Sequence, residues 1–192
     1  NNYKITPSTF TGWMRILKSV EDSVLWLFEN NNNAAKNLKK EAMKFGINED
    51  RLVFATYMPI EEHLNRIKQA DLFIDTLPYN AHTTTSDALR MGLPVLTCKG
   101  NSFASRVAAS LLNAVNLPEL ITTTKEEYES LAIELATDPE KLKIIKDKLV
   151  SNLPTAPLYD TPLFTRHLES AYSMMYDRYH QGLDPDHIYV KH

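Results

Sequence analysis

The sequence predicts an α/β protein built on a doubly wound parallel sheet, and three observations support that prediction. Short apolar runs rich in β-forming residues alternate with helical segments. The links between them are short, as in successive βαβ units. The stretch PYNAHTTTSDALRMGLPVLT (78–97) places a polar turn between a strand and a helix, which is where such proteins bind their ligands.

Start and stop signals define the first helices. Residues 7–20 form a predicted helix with Thr6 as its N-cap and Pro7 at its first position. Gly46 ends the second predicted helix. In order, the other predicted elements are strand 23–29, helix 33–46, strand 51–57, helix 60–69, strand 70–76, a short helix after the polar turn, strand 93–99, helix 102–115, strand 119–123, and helices 125–137, 139–152 and 161–180.

Composition and charge narrow the class of protein. The 192 residues are 43% hydrophobic and 23% charged with a net charge of −3, which is typical of a folded globular domain. Basic residues are scattered over predicted helix faces, so no nucleic-acid partner is expected. The single cysteine, Cys98, excludes an intrachain disulfide. No apolar run or leader indicates a membrane span or a signal peptide, and we expect a cytoplasmic protein.

The polar turn carries groups that suit a nucleotide. Thr83 and Thr84 stand at a predicted helix N-terminus, where free amides and the helix dipole favour phosphate. Asp87 falls one turn later on the same side, where a carboxylate can accept hydrogen bonds from ribose hydroxyls. The alternative is that Thr84-x-x-Asp87 forms a capping box, which needs no ligand. His82 is equally consistent with a structural hydrogen bond.

A second polar cluster follows the strand predicted at 51–57. His63 and Arg66 are three residues apart and share one helix face. Neighbouring loops of a parallel sheet open at the same edge, so this cluster can hold the base while the first holds phosphate and ribose. A solvated helix face shared with Glu61 and Glu62 is the alternative. The six histidines show no metal-ligand spacing, so we expect no metal site.

Six blocks carry a family resemblance that runs nearly the whole length of the chain: NNYKITPSTFTGWMRILKSVEDSVLWLF, EEHLNRIKQADLFIDTLPYNAHTTTSDALRMGLPVLT, FASRVAASLL, LPELITTTKEEYESLA, LATDPEKL and FTRHLESAY. Their order and spacing resemble the donor-binding half of GT-B glycosyltransferases. More narrowly, the chain resembles the O-GlcNAc transferase family, in particular its bacterial members linked to tetratricopeptide repeats.

The resemblance implies a Rossmann-like lobe that binds a UDP-sugar without a cofactor or metal. Lys4 matches the family lysine that neutralises the diphosphate and assists departure of UDP. The other matched positions are the backbone of Met58 with His63 and Arg66 for uracil, His82, Thr83 and Thr84 for phosphate and sugar, Asp87 for ribose, and Asn1 where glutamine is common. Ile60 departs from the family, because many members carry a lysine there.

The resemblance also implies what the chain lacks. The chain opens in a loop that leads straight into a helix, so we expect a fragment cut just after the first strand of the fold. Residues 1–160 are expected to form the UDP-sugar-binding lobe, and 161–192 a crossing helix and tail. The amino-terminal GT-B lobe with the catalytic base, and the repeats that select protein acceptors, would lie outside this chain.

The expected activity of the parent protein is inverting transfer of N-acetylglucosamine from UDP-GlcNAc to Ser or Thr hydroxyls of proteins. The isolated fragment is expected to be inactive. Two alternatives stay open at this stage. One is the donor half of a protein N-glucosyltransferase, and the other is a nucleotide-binding scaffold without catalysis.

Overall fold

The computed structural model describes residues 2–190, in which parallel strands alternate with helices as the sequence predicts. The strands are β1 (Leu25–Phe28), β2 (Leu52–Ala55), β3 (Phe73–Ile74), β4 (Val95–Cys98) and β5 (Ile121–Thr122). The α-helices are α1 (Pro7–Ser19), α2 (Asn32–Lys44), α3 (Ile60–Ile67), α4 (Thr83–Arg90), α5 (Val107–Ala114), α6 (Lys125–Thr137), α7 (Pro139–Asn152) and α8 (Thr161–His180).

The strands form two parallel sheets, and within residues 2–190 no ladder joins them. β1 pairs with β2 from Leu25 opposite Leu52 onward. β4 lies between β3 and β5. The predicted class, a parallel sheet with alternating helices, is confirmed, whereas its continuity as one sheet is not seen. The first strand expected upstream of residue 1 stays a prediction.

Helix α1 begins as the sequence predicts and covers both sheets. The side chain of Thr6 accepts a hydrogen bond from the amide of Thr9, and Pro7 occupies the first helical position. The buried face of α1 packs into a core with Leu25 of β1 and Leu96 of β4. Burial of these apolar side chains, rather than backbone pairing, therefore holds the two sheets together.

A second apolar core fills the other side of the larger sheet. Residues of α4, α5, α6 and α7 pack there with Val95 of β4. Two predicted elements differ from the structure in length. The strand expected at 70–76 is reduced to Phe73–Ile74; the amide of Asp75 still donates to Leu96 of β4, and the chain leaves the sheet after it, in the loop that Asp75 closes. The helix expected at 102–115 is divided, because Ser102 and Ser105 cap a separate 3-10 turn.

The last helix, α8, buries none of its residues against the rest of the described chain. No helix in the described part of the chain combines the length and apolar character of a membrane span. The division into residues 1–160 and 161–192 stays a prediction.

Candidate functional site

The loop after β3 is closed by one buried carboxylate. Oδ1 of Asp75 accepts hydrogen bonds from the amides of Thr76 and Ala81, both at 2.7 Å. Oδ2 accepts the hydroxyl of Thr97 on β4, also at 2.7 Å. Asn80 completes the loop by donating its side-chain amide to the carbonyl of Thr76 at 2.8 Å. The two ends of the loop are thus tied to one another and to the central strand.

Helix α4 starts at Thr83 with His82 in the N-cap position, and no side chain caps it. Thr84 therefore lies inside the first turn, which contradicts the capping-box alternative for Thr84 and Asp87. Thr83 and Thr84 are exposed, whereas the buried Thr85 donates its hydroxyl to the carbonyl of Ala81. The first amides of a helix have no partner within the helix, so this terminus can receive an anion.

Lys4 reaches the same loop from the start of the chain. Its Nζ donates to the carbonyl of Asn80 at 2.8 Å and lies 3.9 Å from the ring centroid of Tyr79. Its two partners lie two and three residues before His82, the N-cap of α4.

Aromatic rings surround His82. The ring of Tyr79 lies 5.2 Å away and that of Phe103 6.1 Å away, both edge-on. The Nε2 atom of His82 is 3.4 Å from the carbonyl of Ala104, which can accept a long hydrogen bond from the tautomer that carries its proton on Nε2. The histidine is therefore held at the mouth of the loop rather than buried in the core.

The second cluster is organised around the guanidinium of Arg66. It donates to the carbonyl of Thr56 at 2.9 Å and lies 2.9 Å from Nδ1 of His63. It also lies 5.6 Å from the ring centroid of Trp26 on β1. A guanidinium can only donate, so Nδ1 of His63 accepts and Nε2 carries the proton. Both side chains are half-buried on one face of α3, beside the exposed Glu61 and Glu62, and their assignment to the base stays a prediction.

The segment Asn2–Lys4 contacts the loops that follow β1 and β3. Asn30, which follows β1, donates its side-chain amide to Oδ1 of Asn2 at 3.2 Å. Lys4 reaches Asn80, which follows β3. The carboxyl ends of the two sheets therefore meet at this segment. Helices α3 and α4, which carry the clusters, are also in contact.

The remaining predicted residues fall around this edge or outside the described chain. Asp87 is half-buried on α4, one turn beyond Thr83. Met58 is half-buried in the loop that joins β2 to α3. Asn1 lies outside the described residues. No three His, Cys, Asp or Glu side chains cluster as metal ligands within residues 2–190, and the absence of a metal stays a prediction.

Sequence reasoning missed Asp75, Tyr79 and Trp26. Asp75 had a signal, since it is a lone acid at the end of the apolar run ADLFIDT. Burial raises its pKa to about 6, although hydrogen bonds from Ala81, Thr97 and Thr76 act in the opposite direction. Trp26 and Tyr79 read as ordinary strand and turn residues, and no sequence pattern distinguishes them.

Comparison with known proteins gives one consistent family. The model of glycosyl transferase family 41 matches residues 1–168. A UDP-N-acetylglucosamine–peptide N-acetylglucosaminyltransferase of Caenorhabditis elegans is 37% identical over 186 residues, which are 97% of this chain and 16% of that protein. The probable enzyme of this name, SEC, of Arabidopsis thaliana is 34% identical over 189 residues, 98% of this chain and 19% of that protein.

A solved structure agrees. A mutant of the O-GlcNAc transferase of Thermobaculum terrenum superposes with a TM-score of 0.85 at 32% identity, over 90% of this chain and 34% of that chain. The chain thus spans about a sixth to a fifth of the length of the curated relatives and a third of this structure.

Proposed function

This chain belongs to glycosyl transferase family 41, and on that premise we propose that it forms the UDP-sugar-binding half of a protein O-linked N-acetylglucosaminyltransferase. The reaction is transfer of N-acetylglucosamine from UDP-GlcNAc to Ser or Thr hydroxyls. The observation that supports the proposal is that Lys4 contacts the loop leading into α4, while α3 and α4, which carry the two polar clusters, are in contact.

The diphosphate binds at the N-terminus of α4. The amides of Thr83 and Thr84 donate to it, the helix dipole favours its charge, and the ammonium of Lys4 lies beside the same loop. The ring of His82 lies beside them at the mouth of the loop. These groups stabilise the negative charge on the departing UDP.

The nucleoside extends from there toward α3. Asp87 accepts hydrogen bonds from the ribose hydroxyls, one turn beyond the phosphate amides. Uracil lies against His63 and Arg66, with the backbone of Met58 available for its polar edge. Because Arg66 fixes the tautomer of His63, the free Nε2–H is a donor for a ligand carbonyl or phosphate oxygen.

The chemistry is an inverting displacement without a metal. The acceptor oxygen forms its bond to the anomeric carbon on the face opposite UDP, and the bond from that carbon to the diphosphate oxygen breaks. A base outside this chain takes the proton of the hydroxyl. The positive charge that a metal supplies in other enzymes comes from Lys4 and the helix terminus.

The remaining partners bind outside the nucleotide site. Helix α8 presents exposed apolar side chains at spacings of three and four residues, which is one helical stripe. We assign this stripe to contact with the amino-terminal GT-B lobe, and the choice of protein acceptor to tetratricopeptide repeats. The stripe consists of Phe164, Leu168, Tyr172, Met175 and Tyr179.

Titration of the chain with UDP, followed by backbone amide shifts, tests the proposal. We expect a dissociation constant on the order of 0.1–1 mM, because only half of a pocket built by two lobes is present. The amides of Thr83 and Thr84 should shift. The variant Asp87→Ala should weaken UDP and uridine alike. Unchanged Thr83 and Thr84 amides at millimolar UDP would refute the phosphate site.

The donor sugar is tested on the full-length protein with radiolabelled UDP-GlcNAc and UDP-glucose. Label transferred from UDP-GlcNAc to Ser or Thr supports the proposal. Transfer of glucose to Asn would instead identify a protein N-glucosyltransferase. Nucleotide binding without any transfer would identify a scaffold.

A further inference from the structure

Asp75 occupies a position that controls where helix α4 begins. Its side chain is only 4% exposed, at the end of β3. The amide that it holds at Ala81 belongs to the residue directly before His82, the N-cap of α4. The carbonyl of Ala81 in turn accepts the hydroxyl of Thr85 in the first helical turn. The carboxylate therefore binds the residue immediately before the N-cap of α4.

Residues in the centre of the fold hold Asp75 in place. Oδ2 is bound to Thr97 on β4, whose four residues are all buried. The backbone carbonyl of Asp75 accepts the hydroxyl of Tyr128 from α6 at 2.9 Å, and Trp13 of α1 donates to that same hydroxyl at 3.4 Å. Two elements, β4 and α6, thus bind Asp75 directly, α1 supports it through Tyr128, and Asp75 holds the loop.

A buried carboxylate needs a compensating role, because removing a charge from water is costly. An apolar residue at this position, after the end of β3, would avoid that cost. What the carboxylate adds is acceptance of two amides that point inward from opposite ends of the loop. Without it, the buried amide of Ala81 and the partly buried amide of Thr76 would lose their acceptor, and the loop would lose the closure that sets the direction of α4.

We infer that Asp75 is a positioning residue for the diphosphate of the donor: it holds the loop of residues 76–81 so that the first amides of α4 and the ammonium of Lys4 converge on the same anion. Asp75 does not contact the ligand. The inference rests on the proposed function. Asp75 therefore affects the phosphate contacts and not the nucleoside contacts, which belong to α3 and to the later part of α4.

The test compares UDP and uridine binding to the chain and to the variants Asp75→Ala and Asp75→Asn. Removing the carboxylate should weaken UDP about tenfold and uridine less than about twofold, because only the phosphate amides are displaced. The Asn variant should stay within about threefold of the original UDP affinity, since one amide oxygen can accept both backbone amides. Equal losses of UDP and uridine, or no rescue by Asn, would overturn the inference.

Thr122→Val is the matched control. The hydroxyl of Thr122 is also buried and donates to the backbone of β4, at the carbonyl of Thr97, rather than to Asp75 or to the loop of residues 76–81. This variant should lower the midpoint of urea unfolding while leaving the ratio of UDP to uridine affinity unchanged. A change in that ratio as large as for Asp75→Ala would attribute the effect to general destabilisation and overturn the inference.

A second pair of variants, at Thr97, tests the inference if Asp75→Ala does not fold. Thr97→Val removes the anchor of Oδ2 and keeps the carboxylate, and Thr97→Ser restores the hydroxyl. We expect about threefold weaker UDP binding for Val and recovery for Ser. Identical affinities would overturn the inference. A wild-type chain that binds neither ligand would overturn the proposed function as well, whereas normal UDP binding that is insensitive to both positions would overturn this inference alone.

Discussion

The two sheets differ in how deeply they are buried. All four residues of β4 in the larger sheet are buried. In the smaller sheet, Leu52 of β2 is buried, whereas its neighbour Val53 is 41% exposed and Phe28 of β1 is also exposed. The larger sheet has apolar cores on both faces, and the smaller one has a single covered face.

This difference divides the candidate site into two parts. The phosphate end, with Lys4 and the terminus of α4, is fastened by Asp75 to the buried sheet. The base end, with His63 and Arg66, rests on the smaller sheet. Regions with few buried apolar contacts open more readily than the global core. We therefore expect a rigid phosphate site beside a more adaptable base site.

The largest expected effect tests the burial difference itself. Leu96 of β4 is completely buried, so Leu96→Ala should lower the free energy of unfolding by about 2–5 kcal/mol. Val53→Ala in β2 should cost less than about 1 kcal/mol, since part of that side chain is already in water. Urea unfolding of both variants measures this. Equal losses would show that the sheets are equivalent.

The second effect concerns the ionisation of Asp75. Its pKa is raised by burial from 3.8 to about 6, so between those values the folded chain holds more protons than the unfolded chain. Stability from this group is therefore present at low pH and falls as pH rises from about 4 to 6. Relative to Asp75→Asn, which cannot ionise, the wild type should lose about 2–3 kcal/mol from pH 4 to pH 7. Urea unfolding at several pH values measures it, and a constant difference between the two chains would contradict the expectation.

The third effect separates the two ends by ligand. Lys4→Ala should weaken UDP about tenfold and leave uridine nearly unchanged, because a charge-assisted phosphate contact is lost. Arg66→Ala should weaken both ligands by a similar factor, because it disturbs the base end. Calorimetry or amide shifts give the affinities. Lys125→Ala, which removes an exposed lysine bound to Ser8, is the control and should change neither. Weaker uridine binding in Lys4→Ala would contradict the division of the site.

The smallest effect concerns Ile60, the exposed first residue of α3, where the family resemblance predicts a lysine. Ile60→Lys should strengthen UDP binding about twofold, since one solvated cation beside the donor adds about 0.2–1 kcal/mol at most. Ile60→Gln, which adds polarity without charge, is the matched control. An equal gain for Gln would mean that charge is not responsible.

The sequence was informative where local signals decide the structure. Thr6 and Pro7 predicted the start of α1, and the polar turn after β3 predicted the position of α4. Local patterns did not predict contacts between residues that are far apart in the sequence. The contact of Lys4 with Asn80 spans 76 positions, and only the family resemblance gave Lys4 a role at all. The role of Asp75 depends on its hydrogen bond with Thr97 on the neighbouring strand. Spacing along the sequence does not predict which residues meet across two strands.

Strand β1, with the sequence LWLF, pairs on one edge only within the described residues, and β3 likewise keeps one edge without a strand. Unpaired amides and carbonyls along an apolar strand are a template for another chain. In a concentrated preparation of this chain, association through β1 is the expected route to aggregation. Storage stability would then depend on protein concentration more than on temperature, and light scattering would detect the loss before any change in helix content.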